Sequence, residues 1–322
     1  MKVPHLSICI PTYCQIEFLR QTLNSVKAQD FSDYEIIISD DSPDDTVAQL
    51  LASFDFGGRL QYYRNSIPLG SPENWNAAVR RAKGKYIKLL HHDDKLAHPG
   101  ALTSFVRLLD EHAGANFAFG ASLVEDVTNG TKRIHQPTVD QLTKLSVSPE
   151  KLFFGNFIGA PSATIYRNGI GVEYDNRMKW LVDIDFYIQV LQKNKQFAYT
   201  SEVLIVTPTN AVHQVTEICK NNAAIELNEY MLLYQKIESV LQCDPDTRYV
   251  WFRLFEKYRV FSQKDVDRLG VKLSSGEDVL AFFFSAYRRE WMRRLPYRVY
   301  TCLPESIKRM IRRARQGMAI SK

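Results

Sequence analysis

The chain has 322 residues, 45% hydrophobic and 24% charged, with a formal net charge of +5. That composition can bury a full core and excludes a disordered or fibrous chain, so one large domain plus an extension is expected. No apolar run approaches the ~18 residues that a spanning helix needs, no signal segment precedes the first strand, and the five cysteines (Cys9, Cys14, Cys219, Cys243, Cys302) show no CxxC spacing; a reduced, cytoplasmic chain is the expectation.

In chain order, Leu6–Ile10 reads as a short strand ending in Pro11-Thr12-Tyr13, and Ile16 to Val26 carries Leu19, Leu23 and Val26 at helical spacing. A second strand over 34–38 stops at the acidic pair Asp40-Asp41, and Ser42-Pro43-Asp44-Asp45 reads as a helix start, with a capping side chain, proline in the first turn and carboxylates toward the positive dipole end. Leu60–Tyr63 makes a third strand, Ser71-Pro72-Glu73 opens another helix, and Gly84 punctuates the chain before an apolar run that leads through His91-His92 to Asp93-Asp94. Strand and helix alternate four times in the first hundred residues, which implies a mainly parallel sheet with right-handed crossovers and both acidic pairs on its carboxyl edge. Two adjacent carboxylates repel, so burying both needs a cation or strong donors, and oxygen ligands of this kind suit magnesium or manganese. A plain helix cap, for the helix beginning near Pro99, competes with the metal reading at Asp93-Asp94.

Four pieces of the chain, taken in register, resemble family-2 glycosyltransferases of the GT-A fold: residues 7–13 (SICIPTY), 35–42 (EIIISDDS), Asn74-Trp75-Asn76 with 82–87 (AKGKYI), and the acidic loop at Asp93-Asp94. The likeness runs from Val3 to about His213 and implies an α/β fold, Rossmann-like, with a mainly parallel central sheet flanked by helices. The expected division is a transferase domain over 1–218 and a helical extension over 219–322. The resemblance implies that Pro11, Thr12 and Tyr13 border the nucleotide base, that Asp40 accepts a hydrogen bond from a uracil-like ring with Asp41 as helper or cap, and that Asn76 and His92 belong to the donor site. It makes Asp93, backed by Asp94, the metal-binding acid for Mg2+ or Mn2+. His91 stands where the family's motif has its first aspartate, which lowers the charge presented to the metal.

The segment 180–187 (WLVDIDFY) resembles the family's Glu-Asp-X-Asp stretch, with Val182 in the place of the first acid and Asp183 in that of the catalytic base. Ile184, Ile188 and Leu191 mark a helix face, which puts Asp183 in a first turn, where an ordinary cap is the competing explanation. Gly159 and Pro161 read as a turn entering a strand, and under the resemblance they shape the floor beneath the sugar. His213, after a strand over 203–207, is a metal or diphosphate contact by the same resemblance, and a surface histidine otherwise.

Charge is unevenly spread. From Leu280 to Lys322 there are eleven Lys/Arg against two Glu, a net of +9, so the preceding residues sum to −4. Helices are expected over 226–241 and 249–261, then an aromatic segment (Phe282, Phe283, Phe284, Trp291, Tyr297), then a basic amphipathic helix with Ile307, Met310, Ile311 and Ala314 on one face. Such a tail fits an anionic membrane surface better than a solvated face or a nucleic-acid patch. The expected activity is inverting, metal-dependent transfer of a sugar from a nucleotide-diphosphate donor, UDP-linked, to a hydroxyl of a saccharide, lipid-carried, at the inner face of the cytoplasmic membrane. A catalytically weakened sugar-nucleotide-binding or scaffolding relative is the alternative, given His91 and Val182. A dinucleotide oxidoreductase is disfavoured, because no G-x-G-x-x-G follows the first strand.

Overall fold

The first, second and fourth strands are built from residues with nowhere to go but inward. β1 (Leu6–Thr12), β2 (Tyr34–Asp40) and β4 (Tyr86–Leu89) are buried at every position, the pattern of a parallel sheet covered on both faces. β1 pairs in parallel with β2 and β4, and β2 with β3 (Leu60–Arg64), which closes this half as a partly exposed edge. The crossovers are α1 (Ile16–Lys27), α2 (Thr46–Ala52) and α3 (Glu73–Arg80). α2 begins later than Ser42-Pro43 implies. The Ser42 amide donates to Asp40 Oδ1 and its hydroxyl accepts from the Cys14 amide, while Asp44 Oδ1 accepts from the Thr46 amide. The polar cluster therefore makes a local turn before the helix.

Past β4 the sheet becomes mixed. β5 (Lys95–Leu96), α4 (Ala101–Glu111), β6 (Phe117–Asp126), β7 (Lys132–His135), α5 (Val139–Val147), β8 (Thr164–Arg167), α6 (Val182–Lys193) and β9 (Phe197–Thr209) follow in the chain. Among the described residues nine strands form one sheet, in the order β3-β2-β1-β4-β8-β6-β9-β5, with β7 on β6. β8 is antiparallel to both β4 and β6, whereas β9 runs parallel to β6 and antiparallel to β5.

The structure, a computed structural model, describes residues 3–211, 214, 219–242, 244–271, 277–294, 303–304 and 306–309. Two compact units are present, Met1–Lys220 and Asn221–Lys322.

Buried polar pins join the strands of the first unit. Glu35 Oε1 accepts from Ser7 Oγ (2.7 Å) and the Lys83 amide (2.7 Å), and Glu35 Oε2 accepts from Gln61 Nε2 (2.8 Å). The Gly84 amide donates to Ser7 Oγ at 2.8 Å, and a Cβ at Gly84 would stand 2.6 Å from the Ser7 nitrogen. Only glycine lets the α3–β4 turn lie this close to β1.

In the second unit, helices span Ala223–Leu241, Pro245–Tyr258, Gln263–Arg268 and Glu277–Arg294. Trp251, fully buried, packs against Tyr234, Phe255 and Phe283, and Phe284 and Tyr287 pack on Phe255. Phe283 and Phe284, two of the aromatics read as a membrane signal, are therefore part of this unit's own core, because they face inward from their helix. Phe282, Trp291 and Ile307 are exposed. Tyr297, Met310, Ile311 and Ala314 lie outside the described residues. Among the described residues no helix is long and apolar enough to cross a membrane.

Candidate active site

The carboxyl ends of β1, β2 and β4 carry the residues singled out in the sequence. At the end of β1 the chain turns through Cys14 and Gln15, both in the left-handed region (φ 55° and 37°), the kind of strained backbone that clusters at functional sites. Of Pro11, Thr12 and Tyr13, the first two are buried and Tyr13 is 56% exposed, its ring available to stack on a flat ligand.

Asp40, the expected base contact, is fully buried. Its oxygens accept from Thr12 Oγ1 (3.0 Å), the Ser42 amide (2.9 Å) and Tyr62 Oη (2.8 Å). Burial, with the hydrogen bond to the Asp40 carboxylate second, pushes the Tyr62 hydroxyl up to about 12. Asp41 is likewise engaged, accepting from Asn65 Nδ2 (2.8 Å) and from the Leu69 (3.0 Å) and Gly70 (2.8 Å) amides. Both carboxylates thus hold the walls around Tyr13 and the 65–70 loop in place. Asn76 is buried too, gripping both backbone groups of Tyr174 through Nδ2 (2.8 Å) and Oδ1 (2.9 Å).

After β4 the acidic loop brings His91, Asp93 and Asp94 together, one ligand atom of each lying within 4.8 Å of the others. Neither Asp93 nor Asp94 caps a helix, since α4 begins at Ala101 with Gly100 as its N-cap. His92 Nδ1 lies 3.2 Å from the Pro11 carbonyl, tying this loop to β1. Asp93 Oδ2 accepts from Gln214 Nε2 at 3.1 Å. Asp94 is 1% exposed and neither of its oxygens accepts a hydrogen bond of ordinary geometry. Burial, then the neighbouring Asp93 charge, raises its pKa, opposed by the nearby Ser162 and Thr207 hydroxyls and by Lys88. Burial holds the His91 imidazole down at about 4, so it is neutral at physiological pH, and its Nε2 makes no hydrogen bond. Buried polar atoms without partners are uncommon in native proteins. Here several of them face one another, which is the donor set a divalent cation requires, so the residues fit such an ion.

Behind this loop lies Lys88, fully buried in β4. Its Nζ donates to the Ser162 and Thr164 (3.0 Å) carbonyls and sits 3.8 Å from the Phe105 ring centroid. Desolvation pulls its pKa well below the usual lysine range, against the pull of Asp94.

Asp183 stands in the first turn of α6, half-buried, and is not its N-cap, which is Leu181. Asp183 Oδ2 accepts from Asn156 Nδ2 (2.7 Å), while Oδ1 accepts from the Ile184 amide (2.8 Å). Asn156 also donates to the Gly159 carbonyl (3.0 Å) and accepts from the Ile158 and Gly159 amides. Gly159, at φ +107°, adopts a conformation that favours glycine, and its carbonyl also accepts from Tyr187 Oη at 3.0 Å. Three residues on, Ser162 Oγ accepts from the His91 amide at 2.9 Å. The segment 156–164 therefore touches both the Asp183 turn and the acidic loop, and the buried Tyr187 senses the charges of both Asp183 and Asp94. Asp185 is turned away, buried and bonded to Gln189 Nε2 at 2.7 Å.

His213 lies outside the described residues. Asn156, Gln214, Lys88 and Ser162 escape a reading of the sequence. Only Lys88 leaves a trace there, as a lysine in an otherwise apolar strand.

Among known proteins, the chain is 27% identical to an uncharacterised protein of Mycobacterium tuberculosis over 256 residues, covering 75% of this chain and 77% of that one. It is 33% identical over 148 residues to the Campylobacter jejuni GalNAc(5)-diNAcBac-PP-undecaprenol beta-1,3-glucosyltransferase, spanning 45% of this chain and under half (46%) of that enzyme. Its fold resembles Staphylococcus aureus TarS 1-349 in complex with UDP-GlcNAc (TM-score 0.58, 18% identity, 97% of this chain and 87% of that one). It also resembles a Pyrobaculum calidifontis mannosyltransferase in complex with GDP-Man and Mn2+ (TM-score 0.56, 13% identity, 100% and 89%). The model of glycosyl transferase family 2 matches residues 7–170, just over half of the chain, and on that match, with strands, turn and acidic loop arranged as above, the chain belongs to this family and has the GT-A fold.

Proposed function

We propose that this glycosyltransferase moves a sugar, with inversion, from a nucleotide-diphosphate donor, UDP-linked, to a saccharide hydroxyl on a lipid carrier, and that it depends on a divalent metal. The observation that carries the reading is the segment 156–164, which holds Asp183 through Asn156 and the acidic loop through Ser162. An acceptor activated at Asp183 and a diphosphate leaving toward Asp93-Asp94 can then meet across one sugar. Asp183 is the base that takes the acceptor proton, leaving no covalent intermediate. Asp93 and Asp94, with His213, would hold Mg2+ or Mn2+, which when bound supplies charge neutralisation to the departing diphosphate. Tyr13 stacks on the base, between walls set by Pro11, Thr12, Asp40, Asp41, Asn76 and His92.

The relatives support the substrate class. The Campylobacter enzyme is named for a polyprenyl-diphosphate-linked acceptor, and the Staphylococcus and Pyrobaculum structures hold UDP-GlcNAc and GDP-Man with Mn2+. We place the chain at the inner face of the cytoplasmic membrane, held by the basic C-terminal segment.

The test is a panel of UDP-glucose, UDP-GlcNAc and GDP-mannose, with MnCl2, MgCl2 or EDTA, monitored by NMR for turnover and for the anomer formed. Turnover of a UDP-sugar with inverted product, abolished by EDTA and by Asp93→Ala, is the expected result. Retention, preference for GDP-mannose, or full activity in EDTA would each overturn the corresponding part.

A further inference from the structure

We propose that His91 is itself a ligand of the cation, and that its nitrogen shifts the ion preference of this site away from Mg2+ and toward Mn2+ and the later ions of that row. The inference rests on the metal reading above and adds a ligand and a selectivity to it.

The geometry comes first. A ring nitrogen of His91 lies within 4.8 Å of a carboxylate oxygen of Asp93 and of Asp94, so a single ion could reach all three. The imidazole is not free to swing: the His91 amide is fixed by Ser162 Oγ at 2.9 Å, and the ring packs on Trp75 with centroids 4.6 Å apart. Trp75 in turn meets the ring of Tyr174, whose backbone is clamped by Asn76. The ring is therefore held in position by a chain of packed and hydrogen-bonded groups, as a metal ligand must be.

A second observation points the same way. Asp94, 1% exposed, has two oxygens without a hydrogen bond of ordinary geometry, though the Ser162 and Thr207 hydroxyls lie nearby, and His91 Nε2 is a buried nitrogen without one. A purely structural histidine and aspartate at this depth would pair with the backbone or with each other. Left unpaired side by side, they are complementary to a cation.

The chemistry then sets the preference. Mg2+ demands oxygen ligands in a tight octahedron, whereas imidazole suits later first-row ions, whose affinities rise from Mn2+ toward Cu2+. Placing a neutral nitrogen where an anionic oxygen could stand removes one negative charge. That weakens the hold on a hard ion most.

The full-length chain should be titrated with MnCl2 under electron paramagnetic resonance, alone and with UDP, with MgCl2 and CoCl2 as competitors. Nitrogen modulation of the bound Mn2+ echo is expected in the wild type and should vanish in His91→Ala and His91→Gln. Those variants should bind Mn2+ and Co2+ about tenfold or more weaker, the scale on which loss of even a supporting partner acts, with Mg2+ affected less. His91→Asp should narrow the gap between Mn2+ and Mg2+. Mn2+ bound in the wild type without nitrogen modulation, and unchanged by His91→Ala, would overturn the assignment while leaving the metal site standing. No Mn2+ binding at all, with or without UDP and with Asp93→Ala indistinguishable from wild type, would overturn the metal reading and this inference with it.

Discussion

Asn156→Ala isolates the contact on which the acceptor side depends. Asn156 Nδ2 donates to Asp183 Oδ2 at 2.7 Å, a hydrogen bond to a carboxylate, of the kind that contributes about 1.5–3 kcal/mol. If Asp183 is the base, that bond fixes where its oxygen meets the acceptor, and its loss is felt mainly at the transition state. At about 1.36 kcal/mol per tenfold in rate, kcat should fall roughly 10- to 150-fold. Removing a base outright costs roughly 10²–10⁴-fold, so the Asn156 effect should lie at or below that of Asp183→Asn. The donor KM should stay near wild type, since Asn156 touches no residue proposed for the nucleotide. Asn156→Asp should be worse than alanine, because it sets a second carboxylate against Asp183. Steady-state kinetics with donor and acceptor varied separately gives the answer, with thermal melts to show that the variant is folded. A folded Asn156→Ala enzyme with kcat within twofold of wild type, or with only the donor KM raised, would refute the reasoning.

Asp183→Asn should keep nucleotide binding, measured by calorimetry with UDP, and lose transfer, while Asp185→Asn should be milder in transfer, because Asp185 faces Gln189; the reverse ranking would move the base. Gly84→Ala should destabilise the first unit by about 3 kcal/mol or more in chemical denaturation, because a methyl group 2.6 Å from the Ser7 nitrogen forces the turn off both Ser7 and Glu35; a cost under about 1 kcal/mol would show that the turn can yield. Truncation after Pro304 removes six of the eleven C-terminal basic residues. Co-sedimentation with anionic vesicles should fall, with salt weakening the intact chain's binding in parallel, at up to about 1 kcal/mol per basic residue. Unchanged sedimentation would place any attachment elsewhere.

The parallel half of the fold was legible because burial on both faces leaves nearly continuous apolar strands, each ending in a polar turn. The antiparallel half was not, since β8 is four residues long and β5 two, and their partners lie far away in the chain. In the site, Asp93-Asp94 and Asp183 announce themselves as acids beside apolar runs. The engagement of Asp40 and Asp41 did not show, because it depends on Tyr62, Asn65 and the amides of residues 69–70, a neighbourhood that only the folded turn assembles. Asn156 was invisible for a like reason: in sequence it is one polar residue in a Gly-Asn turn.

The burial of Lys88 has a consequence for how the chain is made. β4 pairs with β1, which precedes it in the chain, but its other edge is covered by β8, which begins 75 residues beyond Leu89. At the ordinary pace of synthesis that gap lasts roughly 4–15 s, during which an apolar strand presents an open edge to any neighbour. Lys88 sits on that strand, and the groups that eventually take its ammonium, the carbonyls of Ser162 and Thr164, arrive with β8 itself. Until then the lysine is solvated and charged, an inward-pointing cation that discourages edge-to-edge pairing; the strand loses this protection only when its rightful neighbour docks. Lys88→Met should accordingly raise aggregation during refolding by more than its change in equilibrium stability accounts for, as light scattering after dilution from denaturant would register. If aggregation merely follows stability, the lysine guards nothing.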